Sequence, residues 1–223
     1  MPHQKSKKII LYLILFLIIG TLNNKNINNI EFSKIREIKV SGLDDKTNFN
    51  LLNSLEIFKD QNLFFLDKQN IKKIIDSNNF IEQYSIFKKY PNSLEIKITK
   101  AKLLAHVNKK GKNYLLGSNG KLIKTSEEIN SIPFIYGDFK NEDFFELKEI
   151  IDRSKLNYKN IKNLYYFPSG RWDIEFYSDI LIKLPKDKLK DSINLSVNIL
   201  SNENFEKIKI LDLRQENRVI TNG

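Results

Sequence analysis

Residues 81–98 read IEQYSIFKKYPNSLEIKI, and their pattern decides the fold of the segment around them. Ile81–Tyr90 is a strand-forming run, Pro91-Asn92-Ser93 is a turn, and Leu94, Ile96 and Ile98 then alternate with Glu95, Lys97 and Thr99. A period of two puts the three aliphatic residues on one face and the polar ones on the other, the pattern of a strand over a one-sided core. Proline pre-sets its own φ and asparagine tolerates turn backbone, so the break between the runs has a mechanism. The stretch predicts a hairpin that needs an apolar layer beneath it.

The preceding residues can supply that layer. Ile71, Ile74 and Ile75 form a helical stripe that starts after Asp67, a capable N-cap, and stops at Asn78-Asn79. Leu63–Leu66 is a short apolar piece before it. Phe49, Leu52 and Leu55, with Leu51 alongside, recur at helical spacing after Asp44-Asp45. Ile35–Val40 alternates and ends at Ser41-Gly42, predicting a strand. The predicted order is β-α-α-β-β.

Beyond Thr99 the pattern changes. Leu103–Val107 and Asn113–Leu116 read as strands, and Gly117–Gly120 as a turn. Phe144, Leu147, Ile150 and Ile151 mark a helix. Three strands follow at Asn163–Phe167, Arg171–Phe176 and Ile180–Leu184, with Trp172, Ile174 and Phe176 on one face and Arg171, Asp173 and Glu175 on the other. Leu189, Ile193, Val197 and Leu200 predict another helix. Lys207–Asp212 and Arg218–Ile220 are the final strands, around a turn at 215–217. This predicts a mainly antiparallel β domain with flanking helices, so the fold class is α+β.

At the N-terminus Lys5, Lys7 and Lys8 precede the uncharged run Ile9–Leu22, IILYLILFLIIGTL. Basic residues before an apolar run keep the N-terminus cytoplasmic. At ~1.5 Å per residue the run spans about 21 Å against ~30 Å of hydrocarbon, a length suited to a cleaved signal peptide. Cleavage, however, needs small residues at the −1 and −3 positions, and Gly20 is paired there with Ile18 and Thr21 with Ile19. The expectation is an uncleaved transmembrane anchor over 9–22, with 1–8 as a cytoplasmic tail and the Asn-rich 23–33 as a linker.

The net charge is +10, yet only Arg36, Arg153, Arg171, Arg214 and Arg218 among the 37 basic residues are arginine. Nucleic-acid readers lean on arginine for bidentate contacts, so no nucleic-acid partner is expected. The chain has no cysteine and two histidines, His3 and His106. No clustered metal ligands, phosphate-binding loop or nucleophile elbow is visible. Asp44-Asp45 and Glu127-Glu128 are adjacent pairs rather than carboxylates set across a cleft. The expectation is no enzyme, no cofactor, no metal and no small-molecule substrate.

An ordered series of motifs resembles the FtsQ/DivIB family of cell-division proteins. The series comprises the basic-flanked apolar run, Ile38-Lys-Val-Ser-Gly42, Asn62-Leu-Phe-Phe-Leu-Asp67, Lys89-Tyr-Pro-Asn-Ser-Leu-Glu-Ile96, Tyr114-Leu-Leu-Gly-Ser-Asn-Gly120, Ile132-Pro133, Arg171-Trp172-Asp173 and Ile210-Leu-Asp-Leu-Arg214. The resemblance implies a POTRA domain over 34–102 and the family's β domain over 103–223. It implies a single-pass protein of the cytoplasmic (inner) membrane, N-terminus inside and bulk periplasmic, at the division septum. It also implies partners FtsB and FtsL, with other division proteins through the POTRA domain. An aromatic residue commonly follows the Asp-Leu-Arg motif in the family, where this chain has Gln215. The alternative is a POTRA-containing factor of outer-membrane protein assembly or secretion, although such proteins usually carry several POTRA units and a barrel.

The expected mechanism is binding. The last predicted strand has no later element to cover it, and a bare edge can accept a strand from another chain. The partner-binding residues expected on this reading are Arg171, Arg214, Gln215, Arg218, Val219 and Ile220. The plainer reading of Arg171 and Arg214 is an ordinary surface salt bridge.

Overall fold

The computed structural model describes residues 3–22, 34–124, 129–202, 208–215 and 218–222; the expected linker at 23–33 lies outside them. The N-terminal lysines and the apolar run share one helix, α1 (His3–Leu22), on which the side chains from Ile9 to Ile19 are exposed. Among the described residues no helix is long and apolar enough to cross a membrane, so the expected transmembrane span over 9–22 is not matched. The reason is local: the uncharged run is short, and the rest of the helix lengthens it only with six polar residues, three of them lysines.

The chain divides into two compact units, Met1–Asn78 with Gln83–Thr99, and Asn79–Glu82 with Lys100–Gly223. In the first, β1 (Glu37–Ser41), α2 (Asp45–Leu55), a 3-10 turn (Glu56–Phe58), α3 (Lys68–Asp76), β2 (Ile81–Lys89) and β3 (Ser93–Lys100) follow the predicted order. The sheet runs β1-β3-β2, and β1 lies parallel to β3, with Glu37 opposite Ser93 and Ser41 opposite Lys97. Parallel pairing needs a long crossover, and the two helices provide it. Asp44 and Asp67 cap those helices, accepting from the N–H of Thr47 and of Gln69 respectively. Ile38, Leu51, Leu55, Phe58, Leu63, Ile71, Ile75, Leu94 and Ile96 are buried. Phe49, expected on the apolar stripe of α2, is 62% exposed; Leu51 and Leu55, one turn apart, form the buried row instead.

The second unit is built on one nine-stranded sheet in the order β12-β11-β10-β9-β8-β7-β4-β5-β6. Its elements are β4 (Leu103–Lys109), β5 (Lys112–Gly117), β6 (Leu122–Ile123), β7 (Phe134–Tyr136), α4 (Asn141–Arg153), β8 (Ile161–Tyr166), β9 (Trp172–Phe176), β10 (Leu181–Lys183), α5 (Leu189–Leu200), β11 (Ile210–Asp212) and β12 (Ile220–Asn222). The prediction missed β6 and β7, each too short to show alternation. It also missed that β7–β8, β4–β7 and β10–β11 are parallel. Helix α4 carries the chain from β7 to β8 and α5 from β10 to β11, and such helical crossovers are what make neighbouring strands parallel.

One face of this sheet is buried. Phe144, Leu147 and Ile151 of α4 and Ile193 of α5 join Ala105, Val107, Leu116, Ile135, Leu164, Trp172, Ile174, Ile182 and Leu211 in a single core. On the other face His106 stacks on Phe134 at 4.3 Å, and Tyr136 stacks on Tyr165 at 5.3 Å. His106 is half-buried there, its Nε2 2.7 Å from the carbonyl oxygen of Ile129.

Gly42 carries the turn out of β1 with φ +113, and a Cβ there would lie 1.8 Å from the carbonyl oxygen of Ile98. Neither the backbone angle nor the space admits a side chain. Gly42→Ala is expected to destabilise the first unit by about 2–4 kcal/mol, read as a lower urea midpoint with an unchanged m-value.

Candidate functional site

Strand β9 organises the site because its two faces do different things. Trp172, Ile174 and Phe176 enter the core as predicted. Asp173, expected on a solvated polar face, is instead buried, with 4% of its surface exposed. Arg171 covers it from the strand's leading end. The Arg171 guanidinium lies 3.9 Å over the Phe167 ring, and its Nε is 3.6 Å from Asp173 Oδ1. That separation is an ion pair rather than a hydrogen bond, and neither atom has a hydrogen-bond partner among the described residues. Burial pushes the Asp173 carboxyl above the ordinary aspartate range, against the opposing pull of Arg171, Arg214 and Lys183. Nothing in the residue pattern signals this, since alternation reports which face a residue is on and not what neighbouring strands lay over it.

Two strands along the sheet, Asp212 on β11 holds Arg214. Arg214 Nε donates to Asp212 Oδ1 at 2.8 Å and Oδ2 at 3.0 Å, Nη2 donates to Oδ2 at 2.5 Å, and the Arg214 backbone N–H donates to Oδ1 at 3.1 Å. These hydrogen bonds hold the Asp212 carboxyl below its usual range and raise Arg214. The salt-bridge reading of Arg214 is thus an observed contact, although 40% of its side chain still faces solvent.

Arg171, Arg214, Gln215, Arg218 and Val219 line one groove of about 870 Å³, together with Ser169, Pro185, Lys186, Asp187, Lys188, Asp191, Ser192, Leu195 and Leu213. The fold therefore brings five of the six expected residues to one place. Ile220 lies just beyond, as the first residue of β12. The groove residues that sequence reasoning missed come from the β10–α5 connection, where the charged run Lys186-Asp187-Lys188 behind Pro185 was the available signal. Five basic side chains line the groove against Asp187 and Asp191, with Asp173 and Asp212 offsetting Arg171 and Arg214 from behind; the remaining excess is positive, which favours an acidic ligand.

Beside the groove the sheet ends. β12 pairs antiparallel with β11, Ile220 opposite Asp212 and Asn222 opposite Ile210, and it is the terminal strand of the sheet order. The predicted strand at 218–220 is shifted to Ile220–Asn222, and the Arg218 N–H bonds back to the Gln215 carbonyl at 3.3 Å; most of the expected turn at 215–217 lies outside the described residues. The carbonyl of Asn222 accepts from Lys209 on the inner side at 2.9 Å. Within β12, strand alternation then turns the backbone N–H and C=O of Thr221 to the outer side, and Val219 leads into the strand. Val219 and Ile220 are 43% and 49% exposed.

Comparison with known proteins matches both units. A family model described as "POTRA domain, FtsQ-type" matches residues 33–100, and one described as "Cell division protein FtsQ/DivIB, C-terminal" matches residues 105–214. The chain is 26% identical to the cell division protein DivIB of Clostridium botulinum strain Loch Maree over 93% of this chain and 86% of that protein. It is 26% identical to DivIB of Clostridium tetani over 60% of this chain, spanning only about half (51%) of that relative's length. Among solved structures it is similar to the major extracytoplasmic domain of the trans isomer of DivIB from Geobacillus stearothermophilus, with a TM-score of 0.35 and 15% identity, covering 48% of this chain and 96% of that one.

The Asp212–Arg214 contact has a pH signature. A carboxyl whose folded pKa is depressed contributes stability above its unfolded pKa and loses it as pH falls through the folded value. Asp212→Asn is therefore expected to lower stability at neutral pH by about 0–1 kcal/mol, as befits a partly exposed pair. That difference should fade below the ordinary aspartate range. Urea titrations of both proteins across acid pH measure it.

Proposed function

This chain belongs to the FtsQ/DivIB family of cell-division proteins, and we propose that it is a membrane-attached, non-enzymatic scaffold of the divisome that recruits FtsB and FtsL at the end of its nine-stranded sheet. The single observation that carries the reading is the conjunction of β12, the terminal strand, with the cationic groove beside it. A partner strand laid on β12 would meet outward backbone groups at Thr221 and extend over Val219, each hydrogen bond contributing about 0.5–1.5 kcal/mol net. An acidic partner residue would meet Arg214, which keeps exposed surface while Asp212 aims its guanidinium. Arg171 reinforces the field from the far wall, and Gln215, Arg218 and Ile220 frame the strand. So short an edge gives little affinity alone, and attachment of both partners to one membrane raises the effective concentration. The same shortness protects the free protein from pairing edge to edge.

In this proposal α1 is the membrane attachment, with the two units outside the cytoplasm. Its exposed aliphatic side chains enter lipid, and snorkelling lysines together with local bilayer thinning accommodate the short run.

Arg214→Glu is expected to weaken binding of the FtsB–FtsL pair about tenfold or more, an effect of ~1.4 kcal/mol. Thr221→Pro should weaken it by removing an outward donor while keeping the β11 pairing, and Val219→Pro by fixing the backbone that leads into β12. Binding is read by pull-down and titration, with circular dichroism to establish that the variants fold. Wild-type affinity in all three folded variants would sink the edge-pairing mechanism.

A further inference from the structure

The first unit carries an exposed aromatic surface of its own. We propose that the end of this unit where the chain arrives from α1 docks onto the lipid headgroup region through Phe64, Phe65 and Tyr90. The proposal rests on the reading of α1 as the membrane attachment.

Three segments converge at that end. Lys34 bridges Asn62, the Ile35 N–H donates to Gln61 at 2.9 Å, and the Arg36 N–H donates to Asn92 at 2.9 Å. The incoming chain, the loop before α3 and the β2–β3 turn are thus tied to one another by backbone hydrogen bonds. In the loop Leu63 and Leu66 are buried, while Phe64 and Phe65 between them are 58% and 72% exposed. Their rings meet edge to face at 5.1 Å. The loop is built rather than slack: Asn62 Oδ1 accepts from the N–H of Phe64 at 2.9 Å and of Phe65 at 3.3 Å, and Lys88 Nζ donates to the Phe64 carbonyl at 2.9 Å. In the turn, Tyr90 is 63% exposed.

The composition of these three segments chooses the occupant. Lys34, Arg36, Lys88 and Lys89 lie in them, with Lys89 paired to Glu95 at 3.5 Å and Asp60 and Asp67 flanking the phenylalanine loop. Aromatic side chains interleaved with lysine and arginine are the composition of the membrane–water interface, where rings sit at headgroup level and cations meet anionic lipid. Reach is assured by covalent geometry. Residues 23–33 separate Leu22 of α1 from Lys34, and at most ~3.3–3.6 Å per residue keeps this end within about 40 Å of the end of α1. Lipid is therefore always within range, whereas a soluble protein ligand would have to be found by diffusion.

The chain has no cysteine, so single-cysteine variants of the full-length protein can each carry one environment-sensitive fluorophore. The variants are Leu15→Cys, Ser41→Cys, Phe65→Cys and Tyr90→Cys, reconstituted with phosphatidylcholine–phosphatidylglycerol vesicles containing spin-labelled lipid. Labels at positions 15, 65 and 90 are expected to shift to the blue and lose most of their emission to the quencher. The label at 41, at the opposite end of β1, should keep its aqueous emission. Adding F64S and F65S together should return the label at position 90 towards its aqueous spectrum. An aqueous label at 65 with a buried one at 15 overturns this docking surface, leaves α1 as the attachment and points the phenylalanines towards a protein partner. An aqueous label at 15 overturns the attachment and the docking together.

Discussion

Burial of one face of the nine-stranded sheet beneath α4 and α5 is the interaction on which the rest of the second unit depends. The strand period is two, so burying Trp172, Ile174 and Phe176 against the helices sets the register of every neighbouring strand. A one-residue slip would bring Asp173 and Glu175 into the apolar layer. Among the described residues the sheet is covered on one side and runs open from β12 to β6, and its ends are where backbone groups remain available. The terminal position of β12 follows from this architecture rather than from any property of residues 220–222.

The same one-sidedness explains the chemistry of the uncovered face. On β8 and β9, Tyr165 donates to Glu175 at 2.5 Å and Asn163 donates to it at 2.9 Å. These hydrogen bonds draw the Glu175 carboxyl below its usual range, while burial and the Glu175 contact push the Tyr165 phenol up to about 12. Such groups are fixed partners in a cross-strand network. Towards β11 the pattern becomes cationic, with Arg171 and Arg214 each backed by an aspartate. The aspartates orient the guanidinium groups and reduce the repulsion between them, so the groove can concentrate positive charge beside the open edge.

The first unit applies a different division of labour. Its core is closed by a parallel β1–β3 pair and two capped helices, leaving the end that receives the incoming chain to carry Phe64, Phe65 and Tyr90. Burial of Leu63 and Leu66 is what holds the two phenylalanines out, and hydrophobicity alone would have ranked all four residues as core.

Local pattern was enough for much of the fold. The hairpin at 81–98, the caps at Asp44 and Asp67, the helices around Phe144 and Ile193, and the core face of β9 all follow from side-chain periodicity and short-range hydrogen bonding, which act within a few residues. Arg218 and Val219 were legible from the bare-edge reading of the last strand and Arg214 through family resemblance, but their gathering with Arg171 was not, because no spacing in the chain relates 171 to 214. Tertiary structure alone decided the burial of Asp173, the parallel pairs made by helical crossovers, the strands β6 and β7, the two-residue shift of β12 and the contribution of Lys186 and Lys188 to the groove. Each of these depends on which strands become neighbours, and that choice is made by the non-local packing of the sheet against its helices.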